Sequence, residues 1–201
     1  MLEYAATPSL FFRLRVANLG EEPVRSVALS AQIRISATAR PYGRAEQERL
    51  LELFGSPERW GDTLRSLLWT HAAVQIPPFS GSTVVEMPVT CTYDLEVAAS
   101  KYLNALDGGE VPLEFLFSGT IFYSGEDGRL QTALIPWDKE ARYGMPVRIW
   151  REMMDHYFPN SAWLRLRRDV FDRLYGYRMR EGLPTWEATV ESLLQAEEVG
   201  R

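Results

Sequence analysis

The sequence predicts an α+β protein: an antiparallel, Ig-like β-sandwich region carrying inserted helices, followed by a helical C-terminal section. Three observations predict it. Apolar and polar residues alternate through the early part of the chain, the period of half-buried strands. Two stretches, about 44–68 and 94–106, instead repeat with helical spacing. After residue 137 the helical spacing takes over. The boundaries that follow are 1–137 for the β-rich domain with its insertions and 138–201 for a helical section packed on it. A chain of 201 residues suits one domain with an appendage. Its 46% hydrophobic residues supply the apolar surface that a disordered chain lacks.

Leu10, Phe12, Leu14 and Val16 alternate with Phe11, Arg13 and Arg15. The breaker-rich Asn18-Leu19-Gly20-Glu21-Glu22-Pro23 follows, and then Val27, Leu29, Ala31, Ile33 and Ile35 alternate again. Two such runs around a short turn predict an antiparallel pair. Leu50, Leu51 and Phe54 give the next stretch an apolar helical side, and Gly55 suits its C-terminal cap. Ser56-Pro57-Glu58 has the form of a helix start, with Trp60, Leu64, Leu67 and Leu68 behind it.

Residues 74–76 predict a strand and Pro77-Pro78-Phe79-Ser80-Gly81 a bend. Thr83, Val85, Met87, Val89 and Cys91 then alternate, running on to Tyr93; Pro88 marks that strand as an edge or a bulge. Asp94 suits a helix N-cap before Leu95, Ala98, Ala99, Tyr102, Leu103 and Leu106. Residues 111–123 form the longest strand candidate, apolar enough to predict burial on both faces. Gly119 inside it predicts a bulge or a close backbone approach. Gly125-Glu126-Asp127-Gly128 predicts a hairpin turn, with Leu130, Thr132 and Leu134 returning. Beyond 137, Pro146 opens a helix with an apolar face of Val147, Trp150, Met153, Met154 and Tyr157. Pro159-Asn160-Ser161 stops it and caps a second, whose stripe of Trp163, Leu166, Val170, Leu174 and Tyr177 ends near Gly182. Pro184-Thr185 starts a last short helix through Val190, Leu193 and Leu194.

Composition excludes several classes. A net charge of −5 offers no global basic field for nucleic acid. No apolar run is long enough to span a bilayer, and no basic stretch leads an apolar core at the N-terminus, so neither membrane insertion nor a signal peptide is expected. One cysteine, Cys91, permits no internal disulfide and suits a reducing, cytoplasmic setting. At an inward position of an alternating strand it reads as buried and inert. Glu152 and His156 share a helix face, but with His71 remote in sequence they make no metal set, so no metal and no cofactor is expected. No glycine-rich phosphate loop is present: Gly108-Gly109 and the 125–128 turn lack a strand-loop-helix context.

The densest cluster of chemistry is Ile135-Pro136-Trp137-Asp138-Lys139-Glu140-Ala141-Arg142. Trp137, Asp138, Lys139 and Glu140 at a strand exit make either a site or a structural corner. In the corner, the favoured reading, Trp137 plugs the core and the acids pair with bases or cap backbone donors. As a site, the two carboxylates would do acid–base work once one was desolvated, but Lys139 and Arg142 stand close enough to hold both ionised. A second cluster, Arg165, Arg167 and Arg168, suits recognition of phosphate or of a protein's acidic patch, or belongs to a solvated helix face whose acids at helical spacing are Glu152, Asp155, Asp169 and Asp172.

Several motifs together resemble one family. They are Pro88-Val89-Thr90-Cys91-Thr92-Tyr93-Asp94, Phe117-Ser118-Gly119-Thr120, Pro136-Trp137-Asp138-Lys139-Glu140-Ala141, Met154-Asp155-His156-Tyr157-Phe158-Pro159-Asn160-Ser161 and Gly182-Leu183-Pro184-Thr185-Trp186. Over 10–194 the chain resembles a family of uncharacterised bacterial proteins, mainly actinobacterial, often encoded beside nickel-iron uptake hydrogenase genes. The resemblance implies a genomic neighbourhood and no catalytic residues. The resulting expectation is a non-enzymatic interaction protein, an accessory or assembly factor with a hydrogenase subunit or maturation component as partner. An enzyme with its site around residues 137–142 and a structural subunit of a larger assembly are the alternatives.

Overall fold

The computed structural model describes residues 7–199 apart from 21, 93, 95, 96, 126, 162 and 163. The readings placed on Glu21, Tyr93, Leu95, Glu126 and Trp163 therefore lie outside the described residues. The fold is mixed α+β, with antiparallel sheets and C-terminal helices. The strands are β1 (Ser9–Ala17), β2 (Val24–Ile35), β3 (Leu67–Ile76), β4 (Ser82–Thr90), β5 (Glu110–Ser124), β6 (Leu130–Leu134) and β7 (Glu140–Pro146). The helices are α1 (Arg44–Arg49), α2 (Leu51–Phe54), α3 (Trp60–Thr63), α4 (Ala98–Ala105), α5 (Val147–Tyr157), α6 (Arg168–Glu181) and α7 (Trp186–Val199).

The expected β1–β2 hairpin does not form. β1 pairs antiparallel with β4 in a two-stranded sheet, while β2 pairs with β3 on one side and β5 on the other. The turn between β1 and β2 is real: Asn18 accepts from the Gly20 N–H and donates to the Glu22 carbonyl. It carries the chain from one sheet to the other. Asn18 N–H is bound to Gly81 O, and Val24 bridges Phe79. Alternation shows that a strand has one buried face; it does not name the strand's partner. The bend at 77–81 makes the same crossing between β3 and β4. Pro88 lies opposite Phe11 in a strand with one partner, the edge that its missing N–H requires.

The second insertion helix is shorter than its spacing predicts. α3 ends at Thr63, and Leu67 and Leu68 already belong to β3, paired with Ile35 and Arg34. The twelve-residue β2 offers a full ladder for this segment, and that long-range pairing overrides one turn of local periodicity. Likewise α4 begins at Ala98 with Val97 at its N-cap, and Asp94 serves a turn instead, its carbonyl accepting from Val97 N–H. β5 is the longest strand, as expected, but its burial alternates: Val111, Leu113 and Phe115 are buried, with Pro112, Glu114 and Leu116 half-buried between them. Residues 140–146, expected within the helical section, form β7 on β5.

The chain divides into two compact units, Met1–Trp163 and Leu164–Arg201. The first therefore includes β7 and α5. Its core joins Ile33 and Ile35 of β2, Ile76 of β3, Met87 of β4, Leu103 of α4, Met145 of β7 and Trp150 of α5, all fully buried. Phe12 of β1 meets Phe115 at 5.1 Å and Trp69 at 6.2 Å, edge to face, so the two sheets touch through aromatic rings. The Glu46 side chain is buried with them: its carboxylate accepts from Arg40 at 2.9 Å and from the N–H groups of Gly43 and Asp107 at 3.0 and 2.9 Å. In the second unit Phe171 and Tyr175 of α6 meet Trp186 of α7, and the Arg178 guanidinium lies 4.8 Å over the Trp186 ring. Gly182 ends α6 in the left-handed conformation that favours glycine, and Thr185 Oγ1 accepts from Ala188 N–H at the start of α7.

Candidate functional site

The 135–142 segment is not a strand exit but an interruption in one long edge. β6 pairs with the second half of β5 and β7 with its first half, on the same side. Ile135 N–H binds Gly119 O, and Phe117 N–H binds Lys139 O. The edge thus takes four steps where β5 takes two, and the surplus is extruded as a Pro136–Lys139 turn closed by Lys139 N–H to Pro136 O at 3.2 Å. Trp137 sits at its tip, 95% exposed. The expected core plug is wrong for this reason: the extra residues leave the pleat and carry the indole into water. The expectation for the acids holds. Asp138 pairs with Lys139, and Glu140 with Arg142, which also reaches Glu114, each at 3.6 Å. The Asp138–Lys139 and Glu140–Arg142 pairs are solvent-exposed and each contributes about 0–1 kcal/mol, while Glu114 is half-buried.

Lys139 and Glu140 also stand on one wall of an apolar cleft of about 580 Å³, within the range of small-ligand sites. Its floor is Val27 and Leu29 of β2 with Phe115, Phe117 and Ile121 of β5. Its walls are residues 12–18, from β1 and the residue after it, and residues 139–143, from the end of the turn and β7. Trp137 and Asp138 do not line it. The Phe12 and Tyr143 rings, 6.1 Å apart, join the two walls. Sequence reasoning singled out Lys139 and Glu140 of this lining without expecting a strand there, and missed Arg13 and Arg15. Their alternation marks a half-buried strand, but nothing local shows that its outer edge lacks a neighbour. A second, more open depression of about 740 Å³ is lined by Arg40, Glu110, Glu114 and Arg142. Its cations are engaged, Arg40 with Glu46 and the Glu110 carbonyl and Arg142 with Glu114.

The other sequence candidates stay separate. Arg168 pairs with Asp172 at 3.1 Å one turn along α6, on exposed side chains, the solvated helix face that the spacing allows; Arg167, which precedes α6, pairs with Asp169 at 3.1 Å, and Arg165 is exposed. Among the described residues no three His, Cys, Asp or Glu side chains gather as a metal set. Cys91 is buried, and burial pushes its thiol from 9.0 up to about 12. Tyr42 and Tyr102 share a hydroxyl–hydroxyl hydrogen bond of 2.7 Å, and burial pushes both phenols upward. No helix among the described residues is long and apolar enough to cross a membrane.

A model of a family of unknown function, DUF6084, matches residues 1–201. The chain belongs to that family. No curated protein and no solved structure matches it.

Proposed function

We propose that the protein is a non-enzymatic accessory or assembly factor that works by holding another polypeptide. The observation that carries this reading is an apolar strip along the outer edge of the five-stranded sheet. Leu130 is 66% exposed, Leu134 78% and Trp137 95%. An unpaired strand edge is a template for association, which proteins ordinarily blunt with charge, proline or a bulge. Here the bulge presents a tryptophan, and charged Asp138 and Lys139 rim it, the composition of a contact surface.

The resemblance of the motifs would make the partner a hydrogenase subunit or maturation component in the cytoplasm. Arg165, Arg167 and Arg168, in the second unit, would offer that partner a cationic contact of their own that speeds association. The contact of Phe12 with Trp69 and Phe115 supports treating the sheets as the halves of an open, Ig-like sandwich. The enzymatic alternative draws on Lys139 and Glu140 at the cleft, but both are exposed and already paired. The test is co-purification from the native host with the tagged wild type and with the double variant Leu134→Asp, Trp137→Ala. Both substitutions are at exposed positions. Loss of a specific partner from the variant is expected; its undiminished recovery would overturn the reading.

A further inference from the structure

We infer that the cleft between β1 and β7 receives an extended segment of a partner protein, apolar at alternate positions and acidic along its flanks. This rests on the proposed role as a polypeptide-binding factor and names the mode of binding. From β2 and β5 it is alternate residues that line the cleft, Val27 and Leu29, Phe115 and Phe117, the pattern of strand faces. From β1 and β7 it is every successive residue, 12–18 and 139–143. Consecutive lining is the pattern of a strand edge, where main-chain N–H and C=O groups are presented along with side chains.

The topology agrees. Among the described residues β1 has β4 on one side and no strand on the other, and β7 pairs with β5 alone. The cleft therefore has an apolar floor and two walls of strand edge. A peptide strand suits that combination, because its backbone pairs with an edge while every second side chain enters the floor. An acyl chain would use the floor and leave the edge groups without protein partners.

Charge sets the flanks. The charged residues of the lining are Arg13, Arg15, Lys139, Arg142 and Glu140, four cations against one carboxylate on a chain of net charge −5. Lys139 and Arg142 already hold Asp138, Glu140 and Glu114. Arg13, opposite Glu86 in the β1–β4 ladder, and Arg15 are exposed at alternate positions of β1 and, among the described residues, are the lining cations outside any ion pair, so they are the groups that meet an incoming acid.

The full chain is screened against a displayed library of strand-length peptides, about six residues, with every second position apolar and the rest randomised. Enriched peptides are synthesised and titrated while backbone amide NMR signals are followed. Aspartate or glutamate should dominate the randomised positions. Shifts and slowed exchange should fall on residues 12–18 and 139–143. The double variant Arg13→Glu, Arg15→Glu changes only exposed side chains and should bind roughly tenfold more weakly. The cleft-filling Val16→Trp should abolish binding, with retained amide dispersion showing that it folds; if it does not fold, the arginine variant decides. Binding with shifts confined to β6 and the Trp137 turn would overturn the cleft assignment and leave the proposed function standing. An absence of enrichment would overturn it too, as would laurate filling the cleft while no peptide competes. The co-purification above judges the proposed function separately in every case.

Discussion

The carbonyl oxygen of Ala28 stands where a side chain at Gly119 would begin: a Cβ built there falls 2.0 Å from it. Gly119 lies opposite Leu29 in the β2–β5 ladder with φ at 143°, a conformation that side chains avoid. Its own carbonyl accepts from Ile135 N–H, where the edge strand breaks. One glycine therefore sits both at a close backbone approach to β2 and at the root of the exposed turn.

Gly119→Ala is accordingly expected to destabilise the fold by about 3 kcal/mol or more, combining backbone strain with a clash that no rotamer relieves. Gly128→Ala is the control. Its φ is also positive, at 74°, but nothing lies within 4 Å of the new methyl, so the cost should be about 1 kcal/mol. Urea unfolding of both variants checks the difference, and equal costs would remove the close approach as the cause.

Two tryptophans should behave in opposite ways. Trp137→Ala removes an indole that is almost wholly in water, and its effect on stability should stay within about 0.5 kcal/mol. Trp150 is fully buried, touches the Trp69 ring at 6.3 Å and donates to Asn104 Oδ1; its replacement by alanine should cost about 3–5 kcal/mol. A large loss for Trp137→Ala would mean that the indole folds back onto the protein in solution.

Carboxylates separate in the same manner. Glu46→Ala leaves Arg40 without its carboxylate and two backbone donors without their acceptor, and should cost about 3–5 kcal/mol. Asp138→Asn disturbs one exposed pair and should change stability by less than about 1 kcal/mol. Thermal and urea unfolding measure both; near-equal effects would show that the Glu46 cluster is not the pin that its burial implies.

How much was legible follows from where the information resides. Strand character in β1, β2, β4 and β5 was visible because a two-residue period records one-sided burial. Pro88 at an edge and Gly119 at a close approach were visible because each has a covalent peculiarity that few backbone positions accept. The pairing of β1 with β4 was not, since alternation is identical whichever strand lies alongside. Leu67 and Leu68 passed for helix because two leucines after Trp60 and Leu64 fit helical spacing, until β2 offers them a ladder. Trp137 was placed inside because bulk suggests burial, while the bulge that ejects it arises only when β6 and β7 share β5. The cleft was half visible: Lys139 and Glu140 stood out as charges beside a proline, but its β1 wall exists only through what β1 fails to pair with.

The buried acids of the first unit predict an alkaline weakness. Burial pushes the Cys91 thiol from 9.0 to about 12, and it pushes Tyr42 and Tyr102 upward from 10.0. The folded chain thus keeps protons that the unfolded chain releases, so in this range the folded state binds more protons and stability falls as pH rises. The thiol's contribution is whole below about pH 9 and is lost progressively as pH climbs towards 12. Cys91→Ala removes that part and leaves the tyrosines. Urea midpoints followed from about pH 8 to about pH 11 should decline more steeply for the wild type than for the variant, with the two curves parallel below about pH 8. A thiol reagent should meet the same barrier, modifying Cys91 far more slowly in the folded chain than in urea, because the reactive thiolate is the form that burial suppresses. Parallel curves across the whole range, or rapid modification of the folded protein, would place the thiol in contact with water.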